Sequence, residues 1–163
     1  GLGDVYKRQI ISGSASEFVN FLPVIIFVIA VFLAFATGTS WGTFAILVPI
    51  AIAMFPGADN MQMMIIAVAS VLSGAVCGDH VSPISDTTVM SSAGAQSNHI
   101  NHVTTQMQYA VVVAVVSAIG YVIAGFVHIW WLVLGISAVL LLVVLFVIKA
   151  VTSDEKDGVK KRA

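Results

Sequence analysis

The sequence predicts an all-α polytopic membrane protein with discontinuous helices. Three observations carry that prediction. Of its 163 residues, 59% are hydrophobic and 9% charged, with a mean hydropathy of +1.02, whereas soluble domains carry about 25% charged residues. Apolar runs follow one another along the chain, and about 20 apolar residues make a helix that crosses the roughly 30 Å hydrocarbon core. Two polar, Gly-rich stretches, "FATGTSWGTFAILVP" and "GDHVSPISDTTVMSS", interrupt those runs.

Taken in order, "DVYKRQ" (Asp4–Gln9), close to the start of the chain, looks like a translated sequencing-library adapter. Residues 1–9 are therefore set aside as a scar, and the rest reads as a C-terminal fragment of something longer. Glu17 reads as a surface acid. The apolar runs Phe21–Ala36, Phe44–Phe55 and Met63–Cys77 are short for a membrane span, and each abuts a polar stretch. Asp59, in "FPGADN", is turn chemistry; Met61, Met63 and Met64 read as packing. Tyr109–Val127 and Ile129–Ile148 are full spans. One helix over both would reach about 60 Å, so the chain must turn back, with Gly125 permitting the turn and Trp130, Trp131 and His128 near an interface. Residues 10–149 form the membrane domain, and residues 150–163 a charged, disordered tail. The basic residues of that tail place the C-terminus in the cytoplasm by the positive-inside rule.

The charges carry the functional argument. No Lys or Arg lies between Gln9 and Lys149, yet that stretch holds Glu17, Asp59, Asp79 and Asp86. An acid inside a membrane segment costs roughly 2.5–3.5 kcal/mol on insertion scales and is normally paired or functional. Here its counter-charge must be a proton, a bound cation or another part of the protein. Paired short segments broken by Gly, Pro and hydroxyls point to the binding site of a secondary transporter. Such irregular backbone survives at membrane depth only when buried in protein or lining a wet cavity.

The second break is the richer. Pro83 removes an amide and pushes Ser82 out of helical geometry. The expected local structure is a helix ending near Gly78, an extended crossing, and a new helix from Ser85–Thr87 with Ser85 or Asp86 as its N-cap. Asp79 and Asp86 supply carboxylates; Ser82, Ser85, Thr87 and, from the first break, Thr39, Ser40 and Thr43 supply hydroxyls. Gly38, Gly42, Gly78 and Pro83 are the helix-breaking positions. Oxygen ligands of this kind suit a hard monovalent cation. One buried carboxylate that holds either Na+ or H+, never both, is the minimal device for antiport, and burial raises a carboxylate's pKa so that protons compete. The bland alternative is a solvated loop with an N-cap aspartate. His80, beside Asp79, is a tuning or proton-relay candidate.

Other features read more simply. His99 and His102, three apart, suit one helix face, but no Cys lies nearby and no HExxH occurs. A hydrogen-bond network is the preferred reading, and no transition-metal site is expected. An intramembrane metalloenzyme on Asp79, His80, His99 and His102 is the rival of another class, and a non-transporting membrane anchor a third. Cys77 is the only cysteine and reads as packing. Gly74 and Gly78 form a GxxxG pair, either close helix packing or the approach to the break.

Three segments, "ATGTSWGTFAILVPIA", "LSGAVCGDHVSPISDTTVMSSAGA" and "NHINHVTTQMQYA", together resemble the Na+/H+ antiporter NhaC family over roughly residues 20–149. The resemblance implies the C-terminal part of an inverted-repeat secondary transporter in the bacterial inner membrane, exchanging sodium for protons. Some relatives exchange malate for lactate, or other organic ions, with protons and sodium. Gly38, Thr39, Ser40, Trp41, Gly42 and Thr43 match the first motif; Gly78, Asp79, His80, Ser82, Pro83, Ser85, Asp86, Thr87 and Thr88 match the second. The third departs: Asn98 and Asn101 stand where family members often carry aspartates, which argues against an essential ion role there or for a different ion preference. Cys77 replaces a bulkier apolar residue, a packing change. The implied partners are Na+ and H+ as substrates and the lipid bilayer, with a homo-oligomer left open. No cofactor, enzymatic activity or nucleic-acid partner is expected.

Overall fold

The computed structural model describes residues 18–160. The adapter reading of residues 1–9 and the surface reading of Glu17 lie outside the described residues. Among those described, the chain is helical throughout, with no strand. Helix α1 is Leu22–Thr37 and α2 is Ser40–Met54. A 3-10 turn at Ala58–Asn60 leads into α3, Met61–Val81. Helix α4 is Asp86–Gly94, α5 is His99–Phe126 and α6 is Trp130–Lys160.

Local chemistry sets these boundaries. Pro23 sits in the first turn of α1, where its missing amide is no loss. Gly38 ends that helix in the left-handed conformation, φ 67°, and its N–H bonds to the Ala34 carbonyl. Thr39 caps α2, its Oγ1 accepting from the Gly42 amide at 3.3 Å. Gly42 therefore lies within the first turn of α2 and does not break it. The Asn98 side chain caps α5 by accepting from the Asn101 amide.

Ala58–Val81, His99–Phe126 and Trp130–Thr152 are each long and apolar enough to cross a membrane, while α1 and α2 are shorter apolar helices. The Met63–Cys77 run thus belongs to a full-length span. Backbone hydrogen bonding continues through the polar residues on either side of the apolar core, so α3 ends at Val81 and not near Gly78. The turn between the last two spans falls between Phe126 and Trp130, with His128 in it. Helix α6 continues to Lys160, past the expected start of a disordered tail at residue 150. Lys and Glu are good helix formers, so a charged tail need not end a helix.

Helix α1 packs most extensively on α3. The interface is built of small residues: Ala30 and Ala34 on α1, and Gly74, Ala75 and Gly78 on α3, all buried. A Cβ on Gly74 would sit 2.5 Å from the Phe27 carbonyl oxygen and 2.9 Å from Ala30 Cβ, and one on Gly78 would collide with the Val31 carbonyl. The GxxxG pair is therefore a close-packing device, as in membrane helices that associate through small residues. Gly125 is the same case. It lies inside α5 with its face against the Asn20 carbonyl, so it serves packing and not the turn. Ile26, Ala51, Phe55, Met63, Ala67 and Val71 form the larger buried cluster, with Met64 packed beside it; Met61 is exposed.

Candidate functional site

The two interruptions, about forty residues apart in sequence, meet in space. The first runs from the end of α1 through Gly38 and Thr39 to the start of α2; the second crosses Ser82–Ser85 between α3 and α4. A Cβ on Gly38 would stand 3.0 Å from the Ile84 carbonyl oxygen, so glycine allows both the left-handed backbone and the approach. Ser82 Oγ donates to the Phe35 carbonyl at 2.8 Å. Phe35 lies in the last turn of α1, where carbonyls have no intrahelical partner. A hydroxyl of one break thus completes the helix end at the other.

The crossing is tied on every side. Ser82 is fully buried; its Oγ also accepts from the Ile84 amide at 3.4 Å, and its own amide bonds to the Asp79 carbonyl. Ser85, also fully buried, is the N-cap residue of α4, although its side chain makes no cap bond and instead pairs with Thr87 Oγ1 at 2.8 Å. Thr88 Oγ1 donates to the His80 carbonyl at 3.3 Å. His99 Nε2 lies 2.8 Å from the Pro83 carbonyl and Nδ1 lies 3.0 Å from Ser92 Oγ; one turn on, His102 Nε2 lies 3.3 Å from Ser91 Oγ. His99 and His102 thus have hydrogen-bond partners from α4 and the crossing. Among the described residues, no three of His, Cys, Asp and Glu gather as metal ligands.

The two aspartates differ sharply in setting. Asp79 lies in the last turn of α3 and is half-buried; its Oδ1 is buried with no hydrogen-bond partner. Asp86 opens α4 and is exposed. A helix carries about half a negative charge at its C-terminus and half a positive charge at its N-terminus. Helix α4 therefore favours the Asp86 carboxylate, whereas α3 opposes the Asp79 carboxylate and favours a cation beside it.

The remaining candidates are placed as follows. Thr43 is buried and donates to the Thr39 carbonyl at 3.0 Å; Thr39 and Ser40 are half-buried and Thr87 is exposed. Of the first break, Phe35 and Gly38 touch the second directly. His80 is exposed and faces a groove of about 730 Å³ between α1, α3 and α5, with Cys77, Gln106 and Tyr109. Asp79 is not part of that wall. Sequence reasoning missed the Phe35 carbonyl, which no side-chain pattern signals, and the roles of Thr88 and Ser92, whose hydroxyls blend into a run of Ser and Thr. It also missed Tyr121, whose hydroxyl lies 2.6 Å from Ser73 Oγ and donates to the Ala69 carbonyl, joining α5 to α3.

Membrane-length helices, a hydroxyl-rich crossing flanked by Asp79 and Asp86, and no Lys or Arg between Gln9 and Lys149 define a membrane protein whose interruption is rich in oxygen and negative charge. Comparison with known proteins makes the class specific. The chain belongs to the Na+/H+ antiporter family, which matches residues 2–126. It is 47% identical over 144 residues to an uncharacterized protein of Haemophilus influenzae, covering 88% of this chain and 27% of that one. It is 33% identical over 102 residues to the Malate-2H(+)/Na(+)-lactate antiporter of Bacillus subtilis, covering 62% of this chain and 21% of that one. The chain thus spans about a quarter of the length of these relatives. No solved structure matches it.

Proposed function

We propose that this chain supplies the ion-binding part of a secondary active antiporter that exchanges Na+ for H+ across the bacterial inner membrane, its C-terminus in the cytoplasm. The observation that carries the proposal is the Asp79 carboxylate, with one oxygen buried and no donor facing it. A buried acceptor without a partner costs about 1–3 kcal/mol, more when charged. A bound cation or a proton relieves that cost, and the negative end of α3 favours either. Since one carboxylate holds one or the other, loading Na+ expels H+, and the two fluxes are linked by competition at Asp79.

In this reading Ser82, Ser85 and Thr87, with Thr39, Ser40 and Thr43 from the first break, are the candidate oxygen ligands. Asp86 adds negative charge at the rim, His80 serves proton exchange from the groove side, and the carbonyls at the ends of α1 and α3 complete the oxygen supply. The test is proton flux driven by Na+ in everted membrane vesicles carrying the full-length protein. Asp79→Asn abolishes the flux, and Asp86→Asn weakens it. Wild-type exchange in Asp79→Asn defeats the assignment.

A second reading is an Na+- and H+-coupled exchange of organic anions. The Bacillus subtilis relative, named for malate and lactate, favours it. Lactate or malate counterflow in proteoliposomes separates the two.

A further inference from the structure

We infer that His99 is a positioning residue: by donating from Nε2 to the Pro83 carbonyl, it holds the Ser82–Ser85 crossing in the shape that leaves Asp79 to the transported cation. The inference rests on the reading of Asp79 as the ion-binding carboxylate.

The geometry fixes which nitrogen does this. A carbonyl only accepts, so the 2.8 Å contact requires a proton on His99 Nε2. The other nitrogen faces Ser92 Oγ at 3.0 Å, and Ser92 Oγ also lies 2.9 Å from the Val89 carbonyl. Ser92 has one proton for two neighbours. It donates to Nδ1 when the ring is neutral, and to Val89 when Nδ1 carries a proton of its own. The Nε2–H···O=C bond persists in both cases, so the tie to Pro83 is the constant feature.

That tie has a specific mechanical place. Ser82 anchors the crossing to α1 through Phe35, and Thr88 anchors α4 to α3 through the His80 carbonyl. From α5, His102 and the Nδ1 side of His99 reach the α4 serines Ser91 and Ser92. His99 Nε2 alone among these α5 contacts grips the crossing itself. Pro83 has no amide with which to extend α3, so its segment is held by such outside bonds and not by a helical ladder. Pro83 lies four residues beyond Asp79 and three before Asp86, and Ser82 N–H bonds to the Asp79 carbonyl. Movement of the crossing is therefore passed to the turn that carries Asp79.

Two conservative variants divide the two bonds of the ring. The amide of Asn reaches where Nδ1 lies, and that of Gln reaches where Nε2 lies. The experiment measures half-saturating Na+ in proteoliposomes and hydrogen exchange at residues 84–89 of the full-length protein in wild type, His99→Asn and His99→Gln. Loss of a hydrogen bond of this kind predicts a roughly five- to tenfold rise in half-saturating Na+ for His99→Asn, with faster exchange at those amides. His99→Gln stays within about twofold of wild type on both readouts. A Gln variant as impaired as the Asn variant, or an Asn variant with wild-type values, overturns the inference. If the wild-type protein exchanges no Na+, the reading of Asp79 falls instead, and the exchange rates still decide whether His99 holds the crossing.

Discussion

Gly74→Ala tests whether the packing of α1 on α3 sets the site. The added Cβ would lie 2.5 Å from the Phe27 carbonyl oxygen and 2.9 Å from Ala30 Cβ. Ordinary contact begins at 3.4 Å, so the helices must part by about 0.9 Å at this level. Eight residues on, Ser82 Oγ is bonded to the Phe35 carbonyl at 2.8 Å. A separation of that size carries the pair past about 3.6 Å, where a hydrogen bond no longer exists. Overpacking costs about 1–3 kcal/mol and the lost bond about 1 kcal/mol; the better helix propensity of Ala returns up to about 1 kcal/mol. The net is a destabilisation of about 1–3 kcal/mol, which lowers Tm; the shift per kcal/mol shrinks as the chain grows, so in the full-length protein it amounts to roughly a few °C. The assay is thermal unfolding of the full-length protein in detergent beside half-saturating Na+ in proteoliposomes. Gly135→Ala is the control, because a Cβ there meets nothing within 4 Å. If Gly74→Ala melts like Gly135→Ala and keeps its Na+ half-saturation, the packing argument is wrong.

Further outcomes follow from the same contacts. Ser82→Ala leaves the Phe35 carbonyl and the Ile84 amide without their partner; it costs about 1–3 kcal/mol of stability and weakens Na+ half-saturation, measured in the same two assays. Tyr121→Phe removes the hydroxyl that reaches Ser73 and the Ala69 carbonyl. It lowers stability by about 1 kcal/mol while leaving Na+ half-saturation near wild type, since the hydroxyl ties α5 to α3 away from the crossing. Gly38→Ala places a side chain at φ 67° and against Ile84; strain of about 1–3 kcal/mol appears as a lower Tm and impaired transport.

Much of this was legible in the sequence because it is local. Gly38 and Pro83 mark the two breaks by their own backbone chemistry, and the absence of Lys and Arg from the body singles out the aspartates by charge alone. Glycine's two uses are where sequence reading divided from structure. Gly42 and Gly125 read as breaking or turning residues, and Gly78 as either a break or close GxxxG packing, but all three lie within helices, and Gly78 and Gly125 are there because a side chain would strike a neighbouring carbonyl. Conformational freedom and small size are the same letter in a sequence. The end of α3 was misplaced for a related reason: hydropathy falls at Gly78, whereas the backbone ladder runs to Val81. The meeting of the two breaks is tertiary, carried by a backbone carbonyl at Phe35 that no pattern announces. The contrast between Asp79 and Asp86 likewise depends on which end of a helix each occupies, and a helix boundary shifted by three residues conceals it.

The central claim is that Na+ and H+ compete for one carboxylate, at Asp79. Its most direct test is half-saturating Na+ measured against pH in proteoliposomes containing the full-length protein. Competition predicts that half-saturating Na+ rises about tenfold per unit as pH falls through the acid limb, while the maximal rate holds. A half-saturation that stays constant across that range, with pH acting on the maximal rate alone, contradicts it.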